Sequence, residues 1–69
     1  MSLTFGKKLK ELRIDKGLTQ KQLGEIFNVD QTRISNWENQ DYEPNFQMLI
    51  DFAKFFDVTV GQLLGVEEY

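Results

Sequence analysis

The stretch from Leu18 to Trp37, LTQKQLGEIFNVDQTRISNW, leaves the chain the least freedom in how it folds. Thr19 and Gln22 have the Thr-x-x-Gln spacing of a capping box, in which each side chain closes a backbone N–H at the start of a helix. Leu18 and Leu23 stand at the positions of the hydrophobic staple that fixes the entering chain. Leu23, Ile26 and Phe27 supply the buried stripe, and Asn28 is a residue type that accepts the left-handed conformation ending a helix. Asp30 is a strong N-cap for a second helix, with Val29 and Ile34 as its staple. Two helices are therefore joined by only two or three residues, which makes a helix-turn-helix. Gly24 lies inside the first of them, where glycine costs about 1 kcal/mol relative to alanine. Close approach of the second helix is the physical reason that would offset this cost.

The rest of the chain carries the same kind of signal. Phe5, Leu9 and Leu12 recur on one helix face, and Gly17 follows Lys16 as a left-handed cap would. Pro44 and Asn45 mark another helix start, after which Phe46, Leu49, Ile50, Ala53 and Phe56 recur as a core face. Thr59 and Gln62 repeat the capping box, Val58 and Leu63 the staple, and Gly65 the stop. The spacing predicts an all-α fold of five helices, at about 4–16, 19–27, 30–39, 45–56 and 59–64, with no strand alternation to compete. A chain of 69 residues makes one domain spanning residues 1–69. A domain this small buries only roughly 60% of the surface its unfolded chain exposes, so packing and capping must be economical.

Helix-turn-helix geometry can present its second helix to the major groove of DNA. On a wheel of about 100° per residue, Ile34 and Trp37 point inward, and Thr32, Ser35 and Asn36 fall on the opposite side. Gln31 joins them from the N-terminal end. This face is neutral and rich in donors and acceptors. Glutamine and asparagine pair with adenine, and threonine and serine serve either sense. A solvated helix face has a similar composition, and the tight turn on its inner side favours the reading face. Glu38 and Arg13 fall at the edges of the buried arcs of their helices and are expected to pair, because a partly buried carboxylate is costly unless matched.

The charges run against this picture. Residues 1–33 hold seven bases and four acids, whereas residues 34–69 hold Lys54 against seven acids, for a net charge of −3 overall. Within Val29–Asn45, four acids (Asp30, Glu38, Asp41, Glu43) face Arg33 alone. The acidic half gives a second reading from another class, a protein-interaction module such as an antitoxin-like subunit with a basic partner. With no cysteine and no histidine, disulfides, thiolate or imidazole metal sites and Cys- or His-dependent nucleophilic mechanisms are excluded. No glycine-rich phosphate loop or convergent carboxylate cluster suggests an enzyme, a cofactor or a small-molecule ligand. No apolar run is long enough to span a membrane, and no signal peptide is visible, which fits a cytoplasmic protein.

The run LKELRIDKGLTQKQLGEIFNVDQTRISNWEN, followed by EPNFQMLIDFAKFFDVTVGQLL, resembles the helix-turn-helix family of phage repressors and Cro, the XRE or lambda-repressor-like family. The resemblance covers about residues 5–64 and rests on Thr19-Gln20, Leu23, Gly24, Val29, Ile34, Trp37-Glu38-Asn39 and Pro44. It implies a compact five-helix domain that binds double-stranded DNA sequence-specifically to regulate transcription, as a repressor on a two-fold-symmetric operator and as a homodimer. The family's base-reading positions fall on Gln31, Thr32 and Asn36, with Ser35 and Arg33 as helpers. Its phosphate-contacting positions fall on Thr19, Gln20, Asn39 and Asn45, with Lys21 and Arg33 as available cations. Its helix-locking ion pair falls on Arg13 and Glu38. The chain departs from the family pattern at Asp30, where a small hydroxyl residue is common. It departs again at Gln40, where glycine is common, and at Asp41, Tyr42 and Glu43, where bases are common. Met48, Phe52 and Phe55 on the fourth helix, with Val60, Val66 and Tyr69, form a candidate dimer patch, although Phe52 is better read as core.

Overall fold

The helices begin where their caps stand. In the computed structural model, which describes residues 4–40 and 43–67, five helices follow one another: α1 (Phe5–Asp15), α2 (Gln20–Phe27), α3 (Gln31–Gln40), α4 (Phe46–Phe56) and α5 (Val60–Leu64). Their bounds lie within a residue of those read from the sequence. Most of the difference is that Thr4, Lys16, Thr19, Asp30, Asn45 and Thr59 flank their helices instead of belonging to them. The capping boxes of Thr19 with Gln22 and of Thr59 with Gln62 are both closed in both directions. Asn45 Oδ1 accepts from the Met48 backbone N–H at 2.8 Å, and Asp30 Oδ1 from that of Thr32 at 3.0 Å.

Four helix ends share one construction. Gly17, Asn28, Asp57 and Gly65 take positive φ after α1, α2, α4 and α5. Each is followed by an apolar residue whose N–H returns to a carbonyl five positions back: Leu18 to Arg13, Val29 to Gly24, Val58 to Ala53 and Val66 to Gly61, at 2.8 to 3.1 Å. This is the Schellman arrangement, which satisfies carbonyls that a helix end would otherwise leave open.

Phe52 of α4, fully buried, is the centre of the core. Its ring meets Phe5 of α1 at 6.3 Å, Phe27 of α2 at 4.6 Å, Trp37 of α3 at 5.8 Å and Phe56 of its own helix at 6.4 Å. Leu9, Leu23, Ile34, Leu49, Ala53 and Leu63 complete the buried cluster. Two close backbone approaches set the helix crossings. A Cβ on Gly24 would stand 2.6 Å from the Val29 carbonyl oxygen and 3.5 Å from the Gln31 nitrogen, so the glycine admits the turn and the first residue of α3. A Cβ on Gly6 would stand 2.5 and 2.7 Å from the carbonyl oxygens of Trp37 and Glu38, so α1 and α3 cross backbone to backbone.

Three residues expected in the core are not part of it: Ile26, Phe46 and Ile50, the last half-buried and outside the cluster. Ile26 is 51% exposed, because the buried arc of α2 is centred between Leu23, Gly24 and Phe27, roughly 100° away around the helix. Phe46 is 70% exposed. It occupies the first position of α4, and side chains lean toward a helix's N-terminus, so its ring points beyond the packed body. Of the apolar patch, Phe52 is core, Met48, Phe55 and Val60 are partly buried against the core, and Val66 is exposed. Asp41, Tyr42 and Tyr69 lie outside the described residues. Among those described, no helix is long and apolar enough to cross a membrane.

Candidate nucleic-acid interface

The outward face of α3 is held from behind by one polar cluster. Arg13 of α1 donates from Nε to Glu38 Oε2 at 2.7 Å and from Nη2 to Glu38 Oε1 at 3.1 Å. Its Nη1 donates to the Leu18 carbonyl oxygen at 2.7 Å, in the joint between α1 and α2. Gln20, the first residue of α2, donates its side-chain amide to Glu38 Oε1 at 3.0 Å. Arg13 and Glu38 are each 8% exposed. A bidentate guanidinium–carboxylate pair has fixed geometry and is shielded here from solvent screening. One carboxylate therefore fixes α3 against both α1 and the N-terminus of α2. The pair was foreseeable from the wheel. The third partner, Gln20, was not, because nothing in local sequence reports a contact across 18 residues.

Among the residues read as base contacts, Gln31 and Thr32 are exposed at the N-terminal end of α3, while Ser35 and Asn36 are half-buried. The half-burial of Asn36 has a visible cause. It lines a concavity with Asp30, Thr32, Arg33 and Trp37 on one wall and Pro44, Asn45 and Met48 on the other. Ser35 Oγ accepts from Asn39 Nδ2, one turn further along α3, at 3.1 Å. The face is thus a ridge of short polar side chains with a groove along the side toward α4. Asn36, Trp37, Pro44 and Met48 are its buried or half-buried lining, and Asp30, Thr32, Arg33 and Asn45 its exposed lining.

The residues read as phosphate contacts stand at the start of α2, on α3 and just before α4. Lys21, Arg33, Asn39 and Asn45 are exposed. Thr19 uses its oxygen and its backbone N–H in the capping box, the latter donating to Gln22 Oε1 at 2.8 Å. The donors at that helix start are then the N–H groups of Gln20 and Lys21, which by helix geometry have no carbonyl four residues before them. Gln20 has one amide N–H engaged with Glu38 and a second to offer. Asn45, which lines the groove, divides in the same way: its oxygen caps α4 and its amide nitrogen is left to donate. A helix N-terminus carries positive partial charge as well as open N–H groups, so the start of α2 can hold an anion without a cationic side chain.

The chain is similar to known proteins in sequence and in fold. The helix-turn-helix family matches residues 9–63. Over 66 residues, 96% of its length, the chain is 46% identical to the HTH-type transcriptional activator BcrR of Enterococcus faecalis, of which it covers 32%. It is 33% identical over 66 residues to the HTH-type transcriptional regulator ImmR of Bacillus subtilis (strain 168), covering 52% of that protein. It is also 29% identical over 65 residues, 94% of its length, to the immunity repressor protein of Bacillus phage phi105, covering 45% of it. The chain therefore spans between a third and about half of the length of these relatives. All of it superposes on 64% of a transcriptional regulator from Listeria innocua, with a TM-score of 0.87 at 23% identity, a likeness of fold. With five helices in that fold, a three-residue turn closed by Asn28, Val29 and Asp30, and the family pattern matched over most of its length, the chain belongs to the helix-turn-helix family of phage-repressor (XRE) type.

Proposed function

We propose that the chain is the DNA-binding part of a transcriptional regulator, a non-enzymatic module acting in the cytoplasm, that reads double-stranded DNA by placing α3 in the major groove. The single observation that carries this reading is the neutral ridge of α3 fixed from behind by Arg13, Glu38 and Gln20. A reader helix must be rigid relative to the groups that grip the backbone, and here one carboxylate joins it to both neighbours. Gln31, Thr32, Ser35 and Asn36 face base edges. Thr19, Gln20, Lys21, Arg33, Asn39 and Asn45 hold phosphates on either side, which sets register without reading sequence. The relatives are named as an activator, a regulator and an immunity repressor, and the repressor role is the one we assign here. A homodimer on a two-fold-symmetric site follows the same logic, with Val66 exposed beside α5 as its candidate contact.

Separate variants test the division of roles. In titrations by fluorescence anisotropy against a duplex selected by the protein and its single-base variants, Asn36→Ala is expected to lose discrimination at one base pair. That loss corresponds to about 1 to 3 kcal/mol. Asn45→Gly keeps the helix cap within a few tenths of a kcal/mol and is expected to weaken binding to all duplexes alike. The reverse pattern, or no effect of either, would contradict the assignment.

A further inference from the structure

Asp30 is the residue of the interface that a DNA-binding reading leaves unexplained. It is exposed, it precedes α3, and it lines the same concavity as Thr32, Arg33 and Asn36. Its Oδ1 is held by the Thr32 N–H at 3.0 Å, so the carboxylate is oriented by the backbone of a reading residue. Among the described residues, no lysine or arginine lies within ion-pair distance of it. The second oxygen, Oδ2, is thus an oriented, unneutralised acceptor at the end of the helix that enters the groove.

We propose that Asp30 is a specificity-determining residue that accepts a hydrogen bond from the 4-amino group of a cytosine. The inference rests on the reading of α3 as the DNA-contacting helix. Gln31, Thr32 and Asn36 each offer both donors and acceptors, and Arg33 offers donors alone. An ionised carboxylate accepts only. Phosphate oxygens are acceptors as well and repel it. On the major-groove edges the donors are the amino groups of cytosine and adenine. Adenine presents its amino group beside the acceptor N7, which faces the second carboxylate oxygen unfavourably, whereas cytosine presents the amino group alone. Guanine or thymine at that position leaves a desolvated carboxylate against an acceptor or a methyl group, and adenine sets an acceptor beside its donor. Asp30 therefore selects by what it rejects as much as by what it binds.

Asp30→Gly removes the side chain while keeping a residue type suited to the N-cap, and Asp30→Ser keeps a capping oxygen too short to reach the base. Far-UV circular dichroism and melting show which of the two retains the fold. The wild-type chain first selects duplexes from a random library, and every single-base-pair variant of the selected duplex is then titrated by anisotropy with wild type and variant. Wild type is expected to discriminate by about tenfold or more against replacing one C·G pair, and the folded variant to lose that discrimination at that pair alone. Tighter binding of the variant to all duplexes by one common factor would overturn the proposal and mark Asp30 as a merely repulsive charge. Loss of discrimination at a pair whose contacted base is not cytosine would overturn it as well. Failure of the wild type to enrich any duplex would overturn the DNA-binding reading itself, a result distinct from both.

Discussion

At the residue scale, Arg13 and Glu38 carry the strongest claim. Both are nearly buried, and removing one leaves the other charged and without its partner, a situation that costs about 3 to 5 kcal/mol when a buried pair is broken. Removing both relieves that penalty. A double-mutant cycle of Arg13→Met and Glu38→Gln, measured by urea unfolding, is therefore expected to show a coupling of at least about 1 kcal/mol, and additivity would contradict the pairing. The pair was legible because each residue falls at the edge of a helical stripe. Gly6 carries a signal of the same kind. It stands three residues before Leu9 and seven before Arg13, on the buried face of α1, where a glycine signals close approach as clearly as Gly24 does in α2. Ile26 and Phe46 misled because periodicity marks a residue as apolar without showing whether a neighbouring helix reaches that far.

At the element scale, the joints from α1 to α2, α2 to α3, and α4 to α5 share one three-residue design, Gly17-Leu18-Thr19, Asn28-Val29-Asp30 and Asp57-Val58-Thr59, with Lys16 as one further residue ahead of the first. In each, a left-handed residue ends one helix, an apolar residue returns its N–H to that helix and packs against the core, and a capping side chain starts the next. Such joints are written in local sequence, which is why the helix bounds could be read within a residue. Asp57 is the weakest of the three left-handed residues. Its φ of 58° is strained for any residue with a Cβ, and its carboxylate sits at the negative end of the α4 dipole. Asp57→Gly is expected to stabilise the fold by about 0.5 to 1 kcal/mol, after allowing for glycine's greater freedom in the unfolded chain. In a domain of this size that raises the melting temperature by a few degrees, about 2 to 8 °C. A lower melting temperature would show that the Asp57 side chain holds the joint together. The groove between α3 and α4, by contrast, was not legible, because it depends on how Pro44, Asn45 and Met48 pack beside a helix some ten residues earlier.

At the scale of the whole molecule, the question is how a chain with a net charge of −3 approaches a polyanion. Part of the acidity is internally compensated, since Glu38 is matched by Arg13 and Gln20. Part is removed from opposition if Asp30 faces a base. The backbone grip then rests on amide N–H groups and on a few cations, chiefly Lys21, Arg33 and lysines of α1. Neutral donors hold phosphates without releasing counterions. About two to four phosphates neutralised per subunit are expected, so log affinity should fall with log salt at a slope of roughly −2 to −4 per subunit. A slope several units steeper would mean a larger cationic surface than these residues provide. Association is expected through the exposed C-terminal side of α5, and a monomeric mass by light scattering at high concentration would remove Val66 from that role.

Sequence-specific recognition by α3 is the claim on which the rest depends, and selection of duplexes from a random library tests it most directly. The expected result is enrichment of a pair of inverted half-sites whose centres lie about one helical turn, 10 to 10.5 base pairs, apart. Recovery of duplexes with no common sequence, or of none above background, would contradict it.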